Sequence, residues 1–270
     1  MKNTFMYFLL LCLAMATRAN ADDQAPVSDS HLNSPQQPVI AIIMDDLGDR
    51  RANDLRAVKL PGSVTYSFLP HAPFTRQLAE IAYIDKKEIM LHAPMESIDG
   101  KATGPGSLLL NMSEQEFLTT LRSALESVPH VKGINNHMGS LLTRHPGYMQ
   151  WVMQELNHGK GLFFVDSRTT DATVARLVAD ENGVPNAKRD VFLDNDRDQA
   201  SIKKSFDHLV SIARRKGSAI AICHPYPETI NALKNILPAL KGMGIKLVSV
   251  SQLIRLQKKR NKTWQLSLSR

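Results

Sequence analysis

The chain has 270 residues, of which 22 % are charged and 6 % aromatic, and its formal net charge is +7. That length buries an ample core without covalent staples, and few aromatics with no base-reading motif exclude nucleic acid as an expected partner. Its two cysteines, Cys12 and Cys223, cannot supply a cysteine zinc cluster, so any metal must rest on His and Asp.

In chain order, residues 1–21 read as a secretory signal peptide. Lys2 gives the positive start, and the apolar stretch Phe5 to Ala16 is too short for a comfortable bilayer span. Ala19-Asn20-Ala21 fits the small-x-small rule, so cleavage is expected after Ala21, with a periplasmic or secreted mature chain. No transmembrane segment is expected after cleavage, and Cys223 is left as the sole cysteine. Residues 22–38, rich in Ser, Pro, Gln and Asp, are expected to be a disordered linker.

From 39 to 257, strand-like and helix-like stretches alternate. The strand candidates are 39–44, 63–69, 87–91, 132–136, 161–165, 190–193, 218–222 and 245–249. Ser113 and Glu116 form a capping box for a helix that stops before Pro129. Pro146 opens the next helix and Gly159 closes it. Another runs from about Asp198 to Gly217, and Pro227 opens one that Pro238 interrupts. Residues 258–270 are set apart as a basic C-terminal tail. The alternation predicts an α/β domain of parallel strands joined by right-handed crossovers.

Five strand candidates end in a residue able to ligate metal or move protons. Asp45-Asp46 follow the first; His92, His137, Asp166 and His224 end later ones. In parallel α/β folds, chemistry sits at the carboxyl ends of strands. Such residues on many strands favour a barrel over a sheet with one switch point. Adjacent Asp45 and Asp46 are expected to face different ways, because side chains alternate; one can bind metal while the other takes protons. Gly48 lets the backbone turn beside them, although an Asp here can also cap a helix. Arg168 can orient a carboxylate or close a salt bridge. Asp194 is a further strand-end carboxylate, and Pro225 and Pro227 stiffen the turn after His224. Asn136 and Ser140 belong to a polar loop around His137.

Asp45-Asp46-Leu47-Gly48, Leu91-His92-Ala93-Pro94-Met95, Asn135-Asn136-His137-Met138-Gly139-Ser140, Phe164-Val165-Asp166-Ser167-Arg168-Thr169 and His224-Pro225 together resemble the divergent polysaccharide deacetylases, relatives of the NodB-homology carbohydrate esterases. The resemblance covers about 39–257. It implies an irregular (β/α) barrel of about seven parallel strands and a divalent metal, Zn2+ above all, held by one Asp and two His. Carried onto this sequence, it makes Asp45 the general base, Asp46 a metal ligand and His224 the general acid. The superfamily's second His, separated from the first by three residues, is absent here, where His92 is followed by Ala93, Pro94, Met95 and Glu96, and His137 is assigned as the third ligand. The superfamily's Arg-Pro-Pro-Tyr segment is also absent, and Arg168 is the candidate to replace its arginine. Asp166 is expected to orient His224. Asn136, Ser140, Pro225 and Asp194 are expected to line the substrate.

The implied function is metal-dependent removal of N-acetyl or O-acetyl groups from a cell-envelope carbohydrate, with water activated on the metal as nucleophile. A non-catalytic wall-binding or regulatory protein on the same barrel is the alternative. A two-metal phosphoesterase is a third reading, distinguished by its metal count.

Overall fold

The apolar run that opens the domain forms β1 (Val39–Leu47), buried along nearly its whole length, as befits a parallel strand covered on both faces. The computed structural model describes residues 37–158 and 161–268. The signal peptide expected at 1–21 and almost all of the linker expected at 22–38 lie outside the described residues. After β1 come α1 (Arg51–Val58), β2 (Thr65–Phe68), α2 (Thr75–Ile84), β3 (Glu88–Met95), α3 (Glu114–Ser127), β4 (Gly133–Met138), α4 (Pro146–Asn157) and β5 (Phe163–Asp166). The second half holds α5 (Ala175–Glu181), β6 (Asn186–Lys188), β7 (Val191–Phe192), α6 (Gln199–Lys216), β8 (Ser218–Cys223), α7 (Pro227–Ala239), β9 (Lys246–Leu247) and α8 (Val250–Leu268).

Local signals set several helix ends. Ser113 accepts from the Glu116 N–H, and Glu116 accepts from the Ser113 N–H, completing the box. Pro146 sits in the first turn of α4. Asp198 caps α6 through the Ser201 N–H, and Gly217 ends it at φ +80°. Of the residues set apart as a basic tail, 258–268 instead continue α8 without a break, because no Gly or Pro interrupts them; the last two lie outside the described residues.

The strands lie in the order β6-β5-β4-β3-β2-β1-β8-β7, and every pairing is parallel. One edge of β1 pairs with β8; the other takes β9 at Val39–Ile40, then β2 from Ile43 onward. The two ends of this order, β6 and β7, are consecutive in the chain, with only Arg189 and Asp190 between them. A link that short reaches roughly 10 Å, so the sheet must curl until its edges meet. The link bridges the seam itself: the Arg189 N–H donates to the Asp166 carbonyl of β5, and the Asp190 N–H to the Ile220 carbonyl of β8. The result is an irregular barrel, closed by a chain link instead of a full ladder. Its nine strands exceed the seven or so expected. β6, a short Asn-Ala-Lys segment, carries no apolar run that would reveal it.

Side-chain alternation sorts the strands into two faces. Val39, Ala41 and Ile43 of β1, Met90 of β3, Phe163 and Val165 of β5, and Ile220 and Ile222 of β8 point into the barrel. Val248, Val250, Leu253 and Ile254 close that inner cluster. The opposite parity, including Ile40, Ile42, Met44, Leu91, Phe164 and Cys223, packs in the larger cluster that the helices share. The lower barrel is thus filled with aliphatic side chains, which leaves only its C-terminal mouth for chemistry.

Candidate metal centre and cleft

Continuing the inward parity past the apolar layer gives a polar set. Asp45 follows Ile43, His92 follows Met90, Ser167 follows Val165 and His224 follows Ile222; β4 adds Asn135 and His137, and β2 adds Ser67. Strict alternation would turn Asp46 out of this set. Its φ is +58°, a left-handed conformation that Asp tolerates better than most residues. The β1–β2 register breaks between Met44 and Leu47. Both carboxylates therefore reach the same mouth, and the expectation that they diverge is corrected by this single backbone angle. Gly48, at φ +123°, lets the chain leave the site: a Cβ there would lie 2.2 Å from Thr75 Oγ1.

Three donor atoms meet at the mouth. Asp46 Oδ1 lies 3.0 Å from His137 Nδ1 and 3.2 Å from His92 Nε2, and the two imidazole nitrogens are 3.2 Å apart. A tetrahedral zinc with bonds of about 2.0–2.1 Å holds its ligands ~3.3 Å apart, so this near-equilateral triangle matches one face of such a site. Asp46 Oδ1 is buried and makes no hydrogen bond of good geometry, which is the state of a ligand atom awaiting a cation. Burial works to raise the Asp46 carboxyl, but His137 and His92 outweigh it and hold it below the usual carboxylate range. Burial lowers His92, yet the adjoining Asp45 and Asp46 charges push it up to about 9.

Asn135 ties the triangle to Asp45. Its Nδ2 donates to both Asp45 oxygens, each at 3.0 Å, and to Ser167 Oγ at 3.2 Å. Its Oδ1 accepts from Ser67 Oγ at 2.6 Å and faces His92 Nδ1 at 3.0 Å. The carboxylate dictates which way the amide turns, since an acceptor-only group needs the NH2 side. His92 Nδ1 then carries a proton, which leaves Nε2, facing the Asp46 corner, as the nitrogen that a cation would take in place of the second proton. Asp45 itself is 2 % exposed. Burial raises its carboxyl against the pull of His92, His224 and Asn135.

On the other side, His224 Nδ1 meets Asp194 Oδ1 at 3.1 Å, and Asp194 Oδ2 accepts from the His224 N–H and from Thr229 Oγ1. His224 Nε2 is left facing Asp46 Oδ2 at 3.7 Å. Burial opposes the imidazolium, but the Asp194 hydrogen bond and the Asp46 charge prevail and raise it. Asp46, His137 and His224 border a cleft of about 530 Å³. Its walls are stiff: Pro70, Pro73, Pro94, Pro105 and Pro225 line them, with His71, Arg50 and Tyr226.

Several expected roles fall elsewhere. Asp166 lies on the outward parity, beside Phe164, and accepts from the Arg168 N–H and Thr173 Oγ1; the contact expected of it with His224 is made by Asp194. The Arg168 guanidinium pairs with exposed Asp171, so Arg168 orients no carboxylate of the site. Arg189, which the motif reading passed over, braces this turn by donating to the Ser167 and Arg168 carbonyls. Asn136 donates to the Met138 carbonyl and accepts from the Ser167 N–H, which joins β4 to β5 and spends its amide. Ser140 accepts from the Ile98 N–H and fixes a loop. Pro225 does line the cleft. Asn135 and Ser167 stand in the quoted motifs without an assigned role, and Ser67 in none, because no one of them ends a strand in a charge. Counting back two residues from His137 would have found Asn135.

A parallel (β/α) barrel with an Asp-His-His cluster at its C-terminal mouth defines the class of protein. Residues 42–254 match the divergent polysaccharide deacetylase family, and the chain belongs to it. It is 37 % identical over 215 residues to the uncharacterized protein YibQ of Escherichia coli (strain K12), covering 80 % of this chain and 67 % of that one. An uncharacterized protein of Haemophilus influenzae is 35 % identical over 222 residues, covering 82 % and 79 %. The crystal structure of uncharacterized protein ATU2773 from Agrobacterium tumefaciens C58 superposes with a TM-score of 0.78 at 26 % identity, over 82 % of this chain and 91 % of that one.

Proposed function

We propose that the chain is an exported, zinc-dependent deacetylase that removes N-acetyl or O-acetyl groups from a cell-envelope carbohydrate. The observation that carries this reading is the donor triangle of Asp46, His92 and His137, with Asp45 on one side and His224 on the other. Those three residues would hold the cation, which when bound supplies Lewis-acid polarisation of a water and a carbonyl. Asp45 takes a proton from the attacking water; its raised carboxyl suits a base working near neutral pH. The water oxygen adds to the acetyl carbon, the C–N or C–O bond breaks, and His224 delivers a proton to the departing amine or hydroxyl. Asp194 keeps the His224 Nδ1 proton in place so that Nε2 faces the reaction. Asn135 holds the base and one ligand in register through one amide. The proline walls shape a narrow, partly apolar cleft suited to an acetyl group.

A single donor cluster of this kind exists among the described residues, which supports one cation over the paired metals of many phosphoesterases. The test loads purified protein with zinc, cobalt or nickel and measures acetate release from acetylated oligosaccharides alongside metal content. One cation per chain and turnover are expected, with Asp45→Asn keeping the cation and losing about 10²-fold or more in rate. An unchanged rate in Asp45→Asn overturns the assignment of the base. Full loading with no turnover on any acetylated glycan favours the non-catalytic binding protein.

A further inference from the structure

The opposite end of the barrel carries a second concavity, of about 930 Å³, lined by residues of α5, β6, α8 and the start of β8. Ser218 borders it and His224 borders the catalytic cleft, so the two are separated by the length of β8, roughly 20 Å. Its cations are Arg176, Lys188, Lys216, Lys258, Arg260 and Lys262. Asp180 approaches Arg176 at 3.8 Å and Asp190 approaches Lys216 at 3.9 Å. Among the described residues, no carboxylate pairs with Lys188, Lys258, Arg260 or Lys262. Arg260 is the telling member. Its guanidinium is half-buried against Gly217, where a Cβ would lie 2.2 Å from Nη1, and burial lowers its pKa with no anion to offset it. A partly desolvated cation without a counter-ion is costly unless a ligand supplies one.

We propose that this groove binds a segment of an anionic carbohydrate polymer through carboxylate or phosphate groups, apart from the catalytic cleft. The lining selects among polyanions. Among the described residues its lining has no aromatic side chain, so these residues offer no stacking platform of the kind found in single-stranded nucleic-acid sites. It is concave, which suits a chain better than a membrane plane. Asn186, Gln257 and Asn261 add neutral donors and acceptors of the kind that meet sugar hydroxyls. The proposal stands independently of catalysis, because binding here needs neither Asp45 nor a metal.

The test titrates the full chain with a fluorescent oligogalacturonate, a phosphorylated oligosaccharide and a neutral chitin oligomer. The acidic oligomers bind and the neutral one does not, and affinity falls as salt rises. Lys258→Glu with Lys262→Glu, both exposed, weakens binding about 10-fold or more; Arg260→Ala does the same in a protein whose circular dichroism is unchanged. Asp46→Asn at the far end does not weaken it. Equal binding by the wild type and the double variant overturns the proposal, as does loss of binding in Asp46→Asn. So does binding to phosphatidylglycerol vesicles with no binding to either acidic oligomer.

Discussion

Replacing Asn135 by leucine keeps the branched skeleton of the side chain, with bulkier methyl ends, and deletes every polar contact it makes. The Asp45 carboxylate loses its two 3.0 Å contacts from Nδ2, and His92 Nδ1–H loses its acceptor. Ser67 and Ser167 lose a partner each. An orphaned buried group costs ~1–3 kcal/mol, more when charged. The serine hydroxyls can rotate to other partners, and Asp45 can take up a proton, so the full sum is not reached. A loss of about 3–5 kcal/mol is expected, from a total that for such domains is roughly 5–15 kcal/mol. The protein should fold but unfold at clearly lower urea, with an unchanged m-value. His92, no longer locked in one tautomer, should bind zinc about 10–100-fold more weakly in a chelator competition. A stability change below ~1 kcal/mol with undiminished zinc affinity would refute the hub reasoning outright.

Further outcomes follow from the same geometry. Asp194→Asn should cut turnover about 10–100-fold with metal content intact, whereas Asp166→Asn should leave turnover near wild type; a reversed ranking in steady-state kinetics restores the original assignment of Asp166. Asp46→Ala should lose stoichiometric zinc by elemental analysis, while Asp45→Asn retains it. Zinc affinity should fall with pH: below about 9 His92 carries a proton in the metal-free protein, the cation must displace it, and each unit of acidification costs about 10-fold per proton released. A flat titration between pH 6 and 8 contradicts that shift. By the same sign, the metal-free fold keeps the His92 contribution below its unfolded value and loses it as pH rises through about 9. Gly48→Ala should destabilise by ~2 kcal/mol or more in urea denaturation, since it adds both a left-handed strain and a clash with Thr75.

Much of this protein is written locally. Apolar runs that stop at Asp45, His92, His137, Asp166 and His224 are a one-dimensional record of parallel strands ending at a common mouth. Caps at Ser113, Pro146, Asp198 and Gly217 likewise act over a few residues, so helix limits and fold class could be read before any coordinates. Tertiary structure decided what depends on long-range contact or on a backbone angle. Asp46 joins Asp45 at the site only because φ changes sign there, which no side-chain pattern records. Asp194 displaced Asp166 as the partner of His224 because strand parity turns Asp166 toward the helices, while the curl of the sheet brings β7 against β8. Asn135 is an ordinary polar residue in sequence. It becomes the centre of the site only where β1, β2, β3 and the end of β5 place Asp45, Ser67, His92 and Ser167 around one amide of β4. Closure of the barrel through Arg189–Asp190 is likewise a property of two sheet edges meeting, and no stretch of residues contains that information alone.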